Sequence, residues 1–319
     1  MHARAVPDGV RGDPSLRSLS PVVEVEGRRV RVSNLDKVLW PAAGFTKGEM
    51  LDYYVRAAPA LLPHLAGRPI TLRRFPDGVD QAGWYQNDCP PGRPAWVRID
   101  TVEWPSGRKW DFCALDDLPT LVWAAHLGTI ELHPFLALRA RLERPTAVVL
   151  DLDPGPPAGL ADCCRVALRL RALLDGAGLA GFPKVSGALG LHVLVPVSDD
   201  HSWEETKAFA RALARVLAAE SPDEVVDRQQ RRLRPGKVLV DWLQNDPTRS
   251  TVAPYSLRAE GWPTVSAPVT WDEIERAASE QHDDLLVFEP RTALERLERL
   301  GDLVRPVLEL RQRLPAAVT

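Results

Sequence analysis

Chemistry concentrates where an apolar, β-branched run stops. Val148-Val149-Leu150-Asp151-Leu152-Asp153-Pro154-Gly155-Pro156 ends in two aspartates one residue apart, followed by a Pro-Gly-Pro turn. In an extended strand alternate residues share a face, so Asp151 and Asp153 emerge on one side where the strand ends. Two carboxylates so close repel and drift toward protonation unless a cation sits between them, and a divalent metal removes that conflict. Taken alone, such a pair more often marks a solvated strand end.

Two further segments change that balance. Lys184-Val185-Ser186-Gly187-Ala188-Leu189-Gly190-Leu191-His192 places a serine and two glycines just before a strand, a loop able to turn amides and a hydroxyl toward an anion. His192 alternates with Leu191 and Val193 and so faces away from them. Lys237-Val238-Leu239-Val240-Asp241-Trp242-Leu243-Gln244-Asn245 puts Val238 and Val240 on one face and Asp241 on the other. A carboxylate in an apolar strand is costly unless it is paired or metal-bound. Acidic residues from two strands beside an anion-binding loop are what two-metal phosphoryl transfer requires.

These residues need rigid supports. Strands are expected at 147–151, 191–197 and 237–242, with a helix of 3.6-residue periodicity at 160–174 that stops at Gly176 and Gly178. Ser202 with Glu205 forms a capping box ahead of Phe209, Leu213, Val216 and Leu217. Thr46 with Glu49 forms another, opening a helix over 47–60. Strand and helix alternate, so the class is mixed α and β.

The 319 residues suffice for one large domain or two modest ones, and 45% apolar with 26% charged content matches an ordinary globular protein. No apolar run approaches the ~20 residues of a membrane span, so no membrane partner and a cytoplasmic, nucleoid-associated location are expected. Residues 1–20 are rich in Arg, Asp, Pro, Gly and Ser, lack the apolar core of a secretory signal, and read as a disordered tail. Residues 21–310 read as one unit and 311–319 as a C-terminal tail. Cys89, Cys113, Cys163 and Cys164 contain no CxxC pair, so reduced, buried thiols are expected. The net charge is −3, yet Arg228 to Arg249 carries six basic residues against two acidic, so a nucleic-acid partner would meet local patches.

The ordered combination LDLDPGP, KVSGALGLH and KVLVDWLQND followed by VAPYSLR resembles the polymerase domain of bacterial ATP-dependent DNA ligase D and its stand-alone relatives, members of the archaeo-eukaryotic primase superfamily. The likeness extends upstream through LDKVLWPAAGFTKGEMLDYY, GRPITLRRFPDGVDQAGWYQ and GTIELHPF, covering roughly residues 30–300. It implies an α+β fold of mostly antiparallel sheets flanked by helices, and template-directed addition of NTPs or dNTPs, ribonucleotides preferred, to a primer 3′-hydroxyl during gap filling and end joining. It assigns Asp151, Asp153 and Asp241 to two divalent ions, Mn²⁺ or Mg²⁺. Ser186 and His192 would hold the triphosphate, with Arg73, Arg74, Arg258 and Gln244 around the nucleotide and His133 near the sugar. Trp84 and Tyr85 match an aromatic pair that stacks on the template base, and Arg234 is placed with the DNA. Lys37 and Lys47 match a pair that binds the 5′-phosphate of a DNA end or gap. The implied partners are that DNA, the nucleotides, an end-joining ligase and a Ku-type end-binding protein.

Leu189 and Asn87 stand where relatives often have lysine. No adenylating ligase or phosphoesterase segment is visible, so any sealing is expected of another protein or another chain. Two other readings compete with this one. A haloacid-dehalogenase-type phosphatase also ends a strand in DxD, but its threonine two residues on is Gly155 here. A non-catalytic DNA-end-bridging module would have no need of all three aspartates.

Overall fold

The computed structural model describes residues 22–104 and 107–315; the tail expected at 1–20 and residues 316–319 lie outside the described residues. The chain opens with β1 (Val22–Val25), β2 (Arg28–Arg31), β3 (Val38–Trp40), β4 (Phe45–Thr46) and α1 (Lys47–Leu65). Next come β5 (Ile70–Arg74), β6 (Trp84–Gln86), β7 (Ile99–Glu103), β8 (Lys109–Cys113), α2 (Leu118–His126) and β9 (Thr129–Pro134). The second half begins with β10 (Ala147–Pro154), α3 (Leu160–Gly176), β11 (Phe182–Val185), β12 (Leu191–Pro196) and α4 (Trp203–Glu220). It closes with β13 (Val225–Val226), β14 (Val238–Asp241), β15 (Leu257–Ala259), β16 (Pro263–Val265), α5 (Trp271–Glu280), α6 (Pro290–Leu300) and α7 (Pro306–Glu309). No helix among the described residues is long and apolar enough to cross a membrane.

Two sheets matter for the site. The larger has strand order β11-β12-β10-β14-β13, antiparallel except for the β13–β14 pair. Its β10 shows why the sequence folds this way. Val148, Leu150 and Leu152 are fully buried in the main core with Cys163, Val166, Ala167 and Leu170 of α3. The opposite face starts apolar, where Val149 packs with Leu194 and Val307, and turns acidic at Asp151 and Asp153. The smaller sheet has order β6-β5-β9, with Ile70, Leu72, Ile130 and Leu132 buried on its core face.

The capping boxes form as expected at Thr46 with Glu49 and at Ser202 with Glu205. Helix α1 runs five residues beyond the expected end at 60, through Pro59 and Pro63. Burial of Leu61 and Leu65, and the bond between His64 and Asp302 at 2.9 Å, hold the last turns despite the lost amide donors. The expectation of reduced thiols fails for one pair: Cys89 and Cys113 form a disulfide, whereas Cys163 and Cys164 are buried and free. Their separation of 24 residues carries no signal; pairing follows from tertiary contacts, with Cys89 N donating to Asp111 O at 2.6 Å and Asp111 N to Asp88 Oδ1 at 2.9 Å. Past residue 310 the backbone carbonyl of Gln312 accepts from Ser198 N, its side chain bonds Ala180 and Pro196, and Leu314 N meets His201.

One side chain completes the central ladder. β14 pairs with β10 only from Asp151 to Pro154, then turns away into a 3-10 helix at Trp242–Gln244. Buried Asn245 takes over, accepting from Val149 N at 2.8 Å and donating to Val149 O at 2.7 Å. Asn245→Ala should therefore lower stability by about 2–6 kcal/mol, because two buried backbone groups lose their partner at ~1–3 kcal/mol each. Urea denaturation reads this directly, and a loss below ~1 kcal/mol would show that the amide is dispensable to β10.

Candidate metal and nucleotide site

The antiparallel register sets Asp151 directly opposite Asp241 and His192 opposite Asp151 on the other side, so four side chains share one face with Asp153 two residues on. Carboxylate oxygens of Asp151, Asp153 and Asp241 lie within 4.8 Å of one another. All three are buried or half-buried. Burial and the neighbouring carboxylates of Asp151 and Asp241 push the Asp153 carboxyl up to about 7. Burial and Asp151 likewise raise Asp241. For Asp151 burial also acts upward, but His192 at 3.3 Å, with Lys184 and Arg258 behind it, holds the carboxyl below its ordinary range. A hard oxygen donor set under such repulsion fits a divalent cation.

The carboxylates face a cavity of about 810 Å³ between the two sheets. Asp151, Asp153, Ser186, His192, Arg234, Gln244 and Arg258 line one part of it, and Thr71, Tyr85, Asn87 and His133 of the smaller sheet line another. Three buried nitrogens on this wall have no hydrogen-bond partner among the described residues: His192 Nδ1, Arg234 Nε and Arg258 Nε. Of these, Arg258 Nε stands 3.6 Å from the buried Glu131 carboxylate, and the two guanidinium groups lining the cavity beside the carboxylates suit a bound polyanion. Gln244 Nε2 reaches Asp151 Oδ2 at 3.3 Å.

The Ser186 loop is built differently from the expected anion cradle. Ala188 N and Gly190 N both donate to Ser186 Oγ, at 3.2 and 3.1 Å, so these amides are satisfied within the loop. Its glycines are required by close approach. A Cβ on Gly190 would stand 2.6 Å from Leu152 O, and Gly187 has φ +77 with Arg258 Cγ and Val265 backbone 2.7 Å from a Cβ. Leu189 is exposed.

The aromatic pair is split. Strand alternation puts Tyr85 on the cavity face with Arg73, whose guanidinium lies 5.3 Å from its ring, and puts Trp84 on the other face with Arg74 at 5.2 Å. Arg74 is engaged by Leu127 O and Gln86, away from the cavity. Lys37 and Lys47 lie apart from the cavity, at the N-terminal turn of α1. Lys37 Nζ pairs with Asp77 at 2.7 Å and Lys47 Nζ donates to Ser33 O at 2.8 Å. Burial and Lys37 push the Lys47 ammonium down to about 8.

Two groups at the site carried no role in the sequence reading. Glu131 is fully buried beside His133, and Lys184 is buried with its ammonium on Ser266 Oγ at 2.7 Å, pushed down to about 7 by burial and Arg258. The signal for Glu131 was present in GTIELHPF, where Glu131 and His133 stand two apart on a strand as Asp151 and Asp153 do.

The repulsion has a measurable pH signature. Because the folded Asp153 value lies above the unfolded one, the penalty is absent below about pH 4, grows as pH rises and is complete above about 7. In metal-free buffer Asp153→Asn should melt above the wild type at pH 8, with the difference vanishing toward pH 4. Added Mg²⁺ or Mn²⁺ should stabilise the wild type more than the variant. Melting curves that stay parallel across this range would show that the three carboxylates do not repel.

The comparisons with known proteins agree with this geometry. The family model "LigD, primase-polymerase domain" matches residues 46–304. The chain is 37% identical over 281 residues to the multifunctional non-homologous end joining protein LigD of Mycolicibacterium smegmatis, covering 88% of this chain and 36% of that protein. It is 27% identical over 275 residues to the bifunctional non-homologous end joining protein LigD of Bacillus subtilis, covering 86% of this chain and 43% of the relative. The chain thus spans well under half the length of these relatives. The solved polymerase domain of Mycobacterium tuberculosis ligase D, in complex with DNA, superposes with a TM-score of 0.81 at 35% identity, covering 89% of this chain and 99% of that one. The mixed architecture of mostly antiparallel sheets is that domain's archaeo-eukaryotic primase fold, and the phosphatase alternative has no support. The chain belongs to the LigD primase-polymerase family.

Proposed function

We propose that this chain is the polymerase of a DNA-end-joining reaction, adding nucleoside triphosphates, with ribonucleotides preferred, to a primer 3′-hydroxyl under template direction and releasing pyrophosphate. The observation that carries this reading is the carboxylate trio facing a cavity whose wall holds unpartnered buried nitrogens. Asp151, Asp153 and Asp241 would hold two divalent ions, Mn²⁺ or Mg²⁺. When bound, such ions neutralise the triphosphate and acidify the attacking hydroxyl. The chain's own residues position rather than react. Arg258, His192 and Ser186 grip the phosphates, Gln244 orients Asp151, His133 and Arg73 attend the sugar and base, and Tyr85 offers an aromatic face to the template. Arg234, with the basic stretch around it, meets the DNA backbone. Trp84 and Arg74 support the strand that carries Tyr85.

Lys37 and Lys47 would bind the 5′-phosphate at a break. Lys47 is the first residue of α1, where the helix dipole favours an anion, although the first amides are already engaged, Lys47 N by Lys37 O, Gly48 N by Leu35 O and Glu49 N by Thr46 Oγ1. A terminal phosphate carries a second charge that an internal phosphodiester lacks, so the pair reads ends. DNA with a 5′-phosphorylated gap, NTPs, an end-joining ligase and a Ku-type protein are the proposed partners. The relatives named for non-homologous end joining support this.

A labelled gapped duplex incubated with Mg²⁺ or Mn²⁺ and each of the eight nucleotides tests the activity. Asp151→Ala, Asp153→Ala and Asp241→Ala should each abolish extension while the protein stays folded by circular dichroism; near-wild-type extension in any of them would remove the two-metal assignment. Lys47→Ala should weaken binding to the 5′-phosphorylated gap by ~1–3 kcal/mol and leave the 5′-hydroxyl form almost unaffected. Fluorescence anisotropy at two salt concentrations measures both ends, and equal wild-type affinity for them would dismiss the lysine pair.

A further inference from the structure

Glu131 lies at the centre of β9, fully buried, with no place in the chemistry proposed above. An isolated carboxylate in that position would cost several kcal/mol. Its surroundings show what repays the cost. Oε1 accepts from Arg73 Nη1 at 2.7 Å and from Ala259 N at 2.9 Å, and Oε2 meets His133 Nε2 at 2.7 Å. Arg258 Nε stands 3.6 Å from Oε1, too far for a hydrogen bond. One side chain therefore touches or faces Arg73, His133 and Arg258, which come from three different strands and all belong to the nucleotide site.

We propose that Glu131 is the positioning residue of the nucleotide site, setting the His133 tautomer so that Nδ1 presents a lone pair to the cavity and accepts a hydrogen bond from a sugar hydroxyl. The inference rests on the nucleotide reading given above and adds to it a residue and a division of labour.

The argument is one of donors and acceptors. An ionised carboxylate only accepts, so the His133 nitrogen facing it must carry the hydrogen. Glu131 is ionised: against its burial, His133, Arg258 and the Ala259 amide bring its carboxyl down to about 2. For His133, burial, Arg258 and Arg73 outweigh the pull of Glu131 and press the ring below its ordinary range, toward the neutral form. A neutral ring with its hydrogen on Nε2 has a lone pair on Nδ1, and no described residue engages that nitrogen. His133 lines the cavity beside Thr71 and Tyr85, on the face of the smaller sheet. A lone pair repels phosphate oxygens and attracts a hydroxyl. The cavity is thus divided: guanidinium donors at Arg258 and Arg234 for the anionic end of a nucleotide, an imidazole acceptor at His133 for its sugar.

Glu131→Gln separates this role from plain packing. The amide is nearly isosteric, but it has one acceptor atom for donors on two sides. Its oxygen is best placed toward the two donors Arg73 and Ala259, which turns its NH₂ toward His133 and moves the ring hydrogen to Nδ1. Ring-¹⁵N histidine spectra of the metal-free protein read the tautomer directly: Nε2–H is expected in the wild type and Nδ1–H in E131Q. Equilibrium binding of ATP, 2′-deoxy-ATP and 3′-deoxy-ATP with Mg²⁺ gives the functional readout. The wild type should prefer ATP over at least one deoxy form by roughly tenfold, the worth of one hydrogen bond, and E131Q should bring that ratio near one. Glu131→Asp, which keeps the acceptor, should retain the Nε2–H tautomer. An Nδ1–H ring in the wild type, or a sugar ratio unchanged in folded E131Q, overturns the proposal. Should E131Q not fold, the wild-type tautomer and sugar ratio decide by themselves. Lack of primer extension by the wild type would defeat the polymerase reading, whereas these binding and spectroscopic results judge Glu131 independently of turnover.

Discussion

Asp151 and Asp241 face each other across an antiparallel ladder, and nothing in the chemistry of two carboxylates favours that arrangement. The sheet imposes it. Behind these residues Val148, Leu150, Leu152, Val193, Val195 and Val240 are wholly buried against α3, and each such side chain stabilises the fold by roughly 1.5–3 kcal/mol. Several of them together outweigh a strained carboxylate, so the core holds the acidic cluster in place before any cation arrives. Sliding the register by one residue would turn every aspartate into the core and every valine into the cavity. Register, hydrophobic burial and the geometry of the carboxylate cluster are therefore one constraint.

The rest of the site is arranged around that constraint. His192 meets Asp151 from β12, Gly190 lets the Ser186 loop pass against Leu152, and Asn245 finishes the ladder where β14 departs. Each of these contacts is made against β10 itself, the strand that carries Asp151 and Asp153. The opposing sheet supplies a complementary surface, with Tyr85, Arg73, Thr71, Glu131 and His133 on one face. The two faces differ in kind. One is acidic at its strand ends and cationic at its rim; the other carries a buried carboxylate whose charge is spent on internal partners.

Strand alternation also limits what residues adjacent in sequence can do together. Trp84 and Tyr85 stand on opposite faces of β6, each stacked on its own arginine, so one side chain of the pair reaches the cavity. The same strand is followed by Cys89, joined to Cys113 of β8, which fastens the edge carrying Tyr85 to a neighbouring hairpin. Leu189 shows the reverse situation. Its side chain is 70% exposed, and the cationic side chains that line the cavity are arginines from other segments, Arg234, Arg249 and Arg258.

Much of this was legible in the amino-acid order because the determining interactions are local. Period-two alternation in LDLD and VLVD placed the aspartates on one face, capping boxes located the starts of α1 and α4, and the apolar run before Asp151 announced a buried strand. The order of these motifs over the chain also sufficed for the family. What the tertiary structure alone decided concerns partners far apart in sequence. The Cys89–Cys113 bond, the continuation of α1 through two prolines, the orphaned nitrogens of Arg234 and Arg258, and the grip of Glu131 on Arg73 and Ala259 all depend on which surfaces meet after folding. Local sequence encodes dihedral preference and face, because these are set within a few bonds. Desolvation and pairing of charge are set by whatever chain happens to pack alongside, and for Glu131 that chain lies 58 residues before it and 128 after.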